Sequence, residues 1–267
     1  MKNIKLFYLL LVSVMLFLSA CEPIVEEFEL TDTTTVDGVQ LVATQTPAGG
    51  NKVTLSMVTP GITGYWDYGT GKALTNEVTL VLPFTGKHTF TYVGKLGLTF
   101  FTKKIDVQVD RLDTPLDPMY YSLVSNNTTA GKDWVFDGVG GDNRQWFFMS
   151  QPNSIKNAMS VWWNAGGTDS PPVDVNGKMN FNLNGALNYN YYATKTGTPI
   201  KAGFVLDIPN KKLSFIGGNP KGGILGGERG SKDGVYNIIT LTETKMVLYD
   251  SQNDGDGTGW TFVFKPL

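Results

Sequence analysis

One cysteine, Cys21, and one histidine, His88, are all that this 267-residue chain has of either type. A disulfide within the chain is therefore impossible, and a lone histidine without a second ligand at a recognisable spacing excludes the common zinc motifs. From residue 119 onward glutamate occurs only at Glu228 and Glu243, and histidine not at all. That half has no Ser/His/Asp set and no cysteine nucleophile, and few acids able to form the facing carboxylate pair that glycoside cleavage needs. Cationic clusters are missing too. With a formal net charge of −2 and pI near 5.5 nothing would neutralise successive phosphates, so a nucleic-acid partner is excluded. Helical periodicity is nearly absent outside the N-terminus. Alternating apolar runs rich in Gly, Thr and Asn imply an all-β chain.

The N-terminus is different. Lys2 and Lys5 precede an apolar run from Leu6 to Leu18, too short to span a bilayer, which ends in Leu18-Ser19-Ala20-Cys21. Those four residues resemble the lipobox of bacterial lipoproteins. The resemblance implies a signal peptide over 1–20 and lipid on Cys21, holding the mature chain on a membrane. Glu22, Glu26, Glu27 and Glu29 then mark an acidic tether over 21–36. It is similar to the export signal of Bacteroidetes surface lipoproteins, which implies the outer membrane and its cell-surface face; the alternatives are a periplasm-facing position or a plain acidic linker.

Period-two alternation begins near Val39 and recurs over Val53–Met57, Val78–Leu82, His88–Val93 and Phe100–Val109. Between them lies Trp66-Asp67-Tyr68-Gly69-Thr70-Gly71, which resembles the Trp-Asp-Phe-Gly-Asp-Gly signature of PKD-type immunoglobulin-like domains. The resemblance implies a β-sandwich over 37–110, with Trp66 plugging the core and both glycines taking positive φ. It makes the motif structural and the domain a spacer. His88 shares a strand face with Phe90 and Tyr92 and reads as a packed or edge residue.

Two prolines and three acids over 111–118 and its neighbour Asp110 disfavour helix and central strand alike, so a linker is expected there. Residues 119–267 form the second domain. Met119–Val124 fits either a short helix capped by Asp117 or an entry strand. Hairpins follow across Asn184-Gly185, Pro209-Asn210-Lys211 and Thr242–Lys245, with Trp260, Phe262 and Phe264 on one face of a closing strand. Six or seven consecutive antiparallel strands imply a β-sandwich or jelly roll, with a lipocalin-like barrel as the alternative. Gly131–Asp137, Trp162-Trp163, Gly203–Asp207 and Tyr236–Thr242 are similar to the C-terminal β-domain of PKD-containing surface lipoproteins of Bacteroidetes polysaccharide-utilisation loci. That resemblance implies a surface glycan-binding protein serving an outer-membrane transporter complex.

The stretch 134–192 concentrates Trp134, Trp146, Trp162, Trp163, Tyr189, Tyr191 and Tyr192 among asparagines and glycines, with neither glutamate nor histidine. Aromatic faces beside neutral amides suit stacking on sugar rings and hydrogen bonding to their hydroxyls. Trp134 and Tyr189 read as core, as does Trp260. Trp162 and Trp163 must point to opposite faces of a strand, so one of them faces outward. The candidate carbohydrate site is Trp146, Trp162, Trp163, Tyr191 and Tyr192, for a polysaccharide or oligosaccharide and with no cofactor. Two rivals stay open: a glycoside hydrolase or lyase of an unrecognised family, and an assembly lipoprotein whose aromatics contact another protein. Asp250–Gly257 imitates the start of a calcium loop but lacks the closing glutamate. An EF-hand is excluded, and a looser calcium site on Asp250, Asp254 and Asp256 is the alternative to a polar loop. The glycine-rich run 217–227 lacks the Gly-Lys-Ser/Thr ending of a phosphate cradle.

Overall fold

The computed structural model describes residues 35–138, 147–164, 174–218, 230–251 and 258–267. Cys21, the tether up to residue 34, Trp146, Asp254 and Asp256 lie outside them. The described chain is all-β and forms a sandwich followed by a barrel. Among these residues no helix is long and apolar enough to cross a membrane.

The sandwich has seven strands: β1 (Leu41–Gln45), β2 (Lys52–Met57), β3 (Thr63–Asp67), β4 (Lys72–Ala73), β5 (Glu77–Val81), β6 (Gly86–Leu96) and β7 (Thr99–Val109). They pair as a three-stranded sheet β1-β2-β5 and a four-stranded sheet β4-β3-β6-β7, an immunoglobulin-like arrangement. Alternate residues Val53, Leu55 and Met57 turn inward and meet Phe90, Tyr92, Val107 and Val109. Trp66 is fully buried, and its indole stands edge-on to Tyr92 at 5.1 Å. Asn76 ties the two together: its carbonyl accepts from Trp66 Nε1 at 3.1 Å and its side-chain oxygen from Tyr92 Oη at 2.6 Å. Only one of the two motif glycines takes positive φ. Gly69 has φ +80, whereas Gly71 does not, and a Cβ there would meet Tyr68 Oη at 2.7 Å, so the tyrosine ring would have to shift to admit a side chain.

Buried Asn51 fastens the exit from the sandwich, donating to Thr114 O at 2.9 Å and accepting from Thr114 N at 2.8 Å. Helix α1 (Pro118–Val124) follows, with Pro118 in its first turn and Asp117 capping Met119 N. Of helix and entry strand, the helix is present.

Eight strands then close on themselves: β8 (Lys132–Phe136), β11 (Lys178–Asn182), β12 (Asn188–Tyr192), β13 (Ile200–Asp207), β14 (Lys212–Ile216), β15 (Val235–Leu241), β16 (Met246–Asp250) and β17 (Gly259–Pro266). The ring is antiparallel throughout and runs up and down in chain order, so the closed barrel is present in place of an open sandwich or jelly roll. An eight-stranded barrel is narrow enough for side chains to fill. Here Trp134, Phe136, Phe181, Tyr189, Phe204, Phe215, Tyr236, Phe262 and Phe264 occupy the interior. Helix α1 closes one end, touching β8, β11 and β15, and the Trp134 indole donates to Leu123 O at 2.9 Å.

Strand β17 is forked. Its Phe264–Pro266 half pairs with β8, and its Gly259–Phe262 half pairs with β9 (Phe147–Ser150), which carries β10 (Val161–Asn164) as an edge strand. The connection through a 3-10 turn at Ile155–Asn157 fastens to β16 and β17: Tyr249 Oη donates to Gln151 O and Thr261 Oγ1 to Ala158 O, both at 2.6 Å. Phe148, Val247 and Val263 form a small second core on the side away from the barrel interior. This explains why β16 is buried at every position, since both of its faces are covered.

Candidate functional site at the barrel mouth

Up-and-down topology places the ends of β8, β12, β14 and β16 together with the starts of β11, β13, β15 and β17 at the end opposite α1. On the inward register there, tyrosines and aspartates replace phenylalanine and leucine. Tyr191 Oη donates to Asp174 Oδ2 at 2.8 Å. Burial, with Asp174 nearby and bonded to it, pushes the Tyr191 hydroxyl well above its usual pKa. Tyr189 is fully buried and raised chiefly by that burial, with Tyr191, Asp174 and Tyr236 adding to it. Tyr236 rises for the same first reason, opposed by the Ser231 amide it accepts from at 2.8 Å and helped by Asp250 and Asp233. All three hydroxyls are therefore neutral donors at any physiological pH, grouped around two buried carboxylates, Asp174 and Asp250. Burial disfavours ionised Asp233, but bonds from the Ser231 hydroxyl and the Val235 amide outweigh it and hold this acid below the usual range.

The five sequence-predicted aromatics separate. Trp146 lies outside the described residues. Trp163 turns toward the barrel, 6.3 Å from Phe147 and edge-on to Trp260 at 6.4 Å. Trp162 turns out: it is the extra residue of a bulge, since Val161 faces Ser150 and Trp163 faces Met149, and it stands 52% exposed. Ile155, Met159 and Val161 are exposed beside it in sequence. Tyr191 belongs to the mouth. Tyr192 belongs to the outer wall, with Lys178 Nζ 4.9 Å from its ring centre. That wall carries a hydrogen-bonded row in which Lys178 and Asn180 donate to Asp133, Asn182 donates to Asn180, and Asn188 donates to Asn182.

Asp250 is buried on β16, and its proposed companions Asp254 and Asp256 lie outside the described residues. Among the described residues no three His, Cys, Asp or Glu side chains gather as a metal site. Tyr189 is core, as its sequence register indicated, while Tyr236, Ser231 and the placement of Asp174 are the parts that sequence reasoning missed. The available signal was a hydroxyl or carboxylate in the inward register at the mouth end of β12, β15 and β16. No family model matches the chain, and no curated protein matches it.

Proposed function

We propose that this chain is a lipoprotein anchored through Cys21 to the outer membrane and displayed on the cell surface. Its barrel domain holds a polysaccharide or oligosaccharide without cleaving it, for a glycan uptake complex, and the sandwich serves as a PKD-type spacer. The observation that carries the reading is Trp162, a large ring held on an edge strand with half its surface in solvent. Such a ring stacks on a pyranose face. Each stacked ring contributes only about 1 kcal/mol, so useful affinity requires several contacts along one glycan chain. Affinity electrophoresis against a polysaccharide panel tests this: at least one glycan retards the protein and Trp162→Ala weakens that binding about fivefold. Retardation by none would overturn it.

Asp174 and Asp250, two buried carboxylates at one barrel end, favour a second reading as a glycoside hydrolase. Release of reducing sugar from a retarded glycan, lost in Asp174→Asn and Asp250→Asn, would select it.

A further inference from the structure

The β6–β7 hairpin ends in two side chains that serve no core. It turns through Gly97-Leu98, with Gly97 at φ +58 in the position a tight hairpin turn reserves for glycine. Leu98 is 94% exposed and Phe100 is 75% exposed. Residues 94–105 include Lys95, Lys103 and Lys104 and no acid. Lys95 lies directly across from Phe100 and is exposed, as is Lys104. Apolar tips backed by cations match a bilayer of anionic lipid, where acyl chains take the rings and headgroups take the ammonium ions.

The chain's path agrees. Lys103 Nζ donates to the carbonyls of Val36, Asp37 and Val39, at 3.2, 3.1 and 2.6 Å, fixing the entering segment against the middle of β7. Thr63, which opens β3, pairs with Lys95, and Leu41, which opens β1, pairs with Met57, so entry and tip share one end of the sandwich. The exit toward the barrel leaves from Val109, at the other end of β7. Cys21 precedes Thr35 by fourteen residues, a reach of at most about 50 Å.

We propose that Leu98 and Phe100 insert into the interface of an anionic lipid bilayer, with Lys95 and Lys104 against its headgroups. The tip is then a second attachment beside a lipid on Cys21, turning the sandwich so that its barrel end points away from the surface. The encounter rests on the anchored reading of Cys21, because two apolar side chains alone bind weakly and reversibly.

The full chain, extracted from cell membranes, is reconstituted in phosphatidylethanolamine–phosphatidylglycerol vesicles with a polarity-sensitive thiol probe at Leu98→Cys or, as control, at exposed Gln108→Cys. The expected result is a blue shift and at least about fivefold stronger quenching by spin-labelled lipid at 98 than at 108, lost on adding Phe100→Asp and reduced when phosphatidylcholine replaces the anionic lipid. Equal quenching at the two positions overturns the proposal, as does quenching that survives Phe100→Asp. A probe shielded in native membranes but not in vesicles also overturns it, in favour of a protein contact. The mass of the N-terminal peptide reports acylation separately. An unacylated Cys21, read as Cys21→Ser, with a quenched tip removes the anchor and keeps the tip; an acylated Cys21 with an unquenched tip does the reverse.

Discussion

Replacing Trp162 and Trp163 with alanine, one at a time, separates two jobs done by neighbours on β10. Trp162 is 52% exposed in a bulge, so its truncation removes little buried surface, and stability should change by no more than about 0.5 kcal/mol. Trp163 packs between Phe147 and Trp260. A largely buried indole removes about 200 Å² from water, worth up to about 5 kcal/mol at 25 cal/mol/Å². Trp163 is only partly buried, so about 3 kcal/mol is expected, at the low end of what aromatic-to-alanine changes cost in cores. For a chain of this size that is a fall of roughly 6–12 °C in Tm. Glycan affinity should behave in the opposite way, dropping about fivefold in Trp162→Ala for one lost stacking contact. Calorimetry and affinity electrophoresis on the two variants are sufficient. If Trp162→Ala unfolds as early as Trp163→Ala, or if Trp163→Ala melts like the parent, the assignment of faces is wrong.

Four further outcomes follow from the same structure. His88, half-buried beside Phe84 at 4.3 Å between ring centres, has its pKa lowered from 6.5 by burial, against a bond to Phe84 O that raises it. The unfolded chain therefore binds this proton more readily, so stability is full above about pH 6.5 and falls as pH drops through it; His88→Gln should flatten the urea midpoint between about pH 8 and pH 5. Gly131 has φ +78, and a Cβ there would lie 2.1 Å from Phe181 O, so Gly131→Ala should cost more than about 2 kcal/mol in urea unfolding. Gly69→Ala, with φ +80 but open space, should cost about 1 kcal/mol. Asp133→Ala removes the acceptor of both Lys178 Nζ at 2.7 Å and Asn180 at 2.9 Å, and a loss of about 1–2 kcal/mol by the same assay is expected.

Local chemistry explains which parts were legible. Asn184-Gly185 between two alternating runs announces the β11–β12 hairpin, and strict alternation puts Tyr189 and Trp260 inside. Closure of the barrel was not legible, because β8 and β17 pair across most of the domain and no short-range pattern distinguishes a ring from two stacked sheets. The β9–β10 hairpin was hidden by its bulge, which exposes Val161 and Trp162 in succession and breaks the period-two rhythm. Opposite-face geometry did foretell that one of the paired tryptophans turns outward. It gave no means of saying which, since that depends on the partner strand. The mouth residues Asp174, Tyr236 and Ser231 come from separate segments that only the closed ring brings to one end.

The forked strand β17 also bears on how this domain forms. Phe136 and Phe264 become neighbours only when the last strand arrives, so the ring must wait for a long loop to close before its largest aromatic cluster is sealed. Contacts of such sequence separation make folding slow and leave strand edges open meanwhile. Because the same strand then seats β9, sealing the barrel and docking the Trp162 platform become one cooperative event, so a chain that presents its exposed ring is one whose ring of strands is already shut.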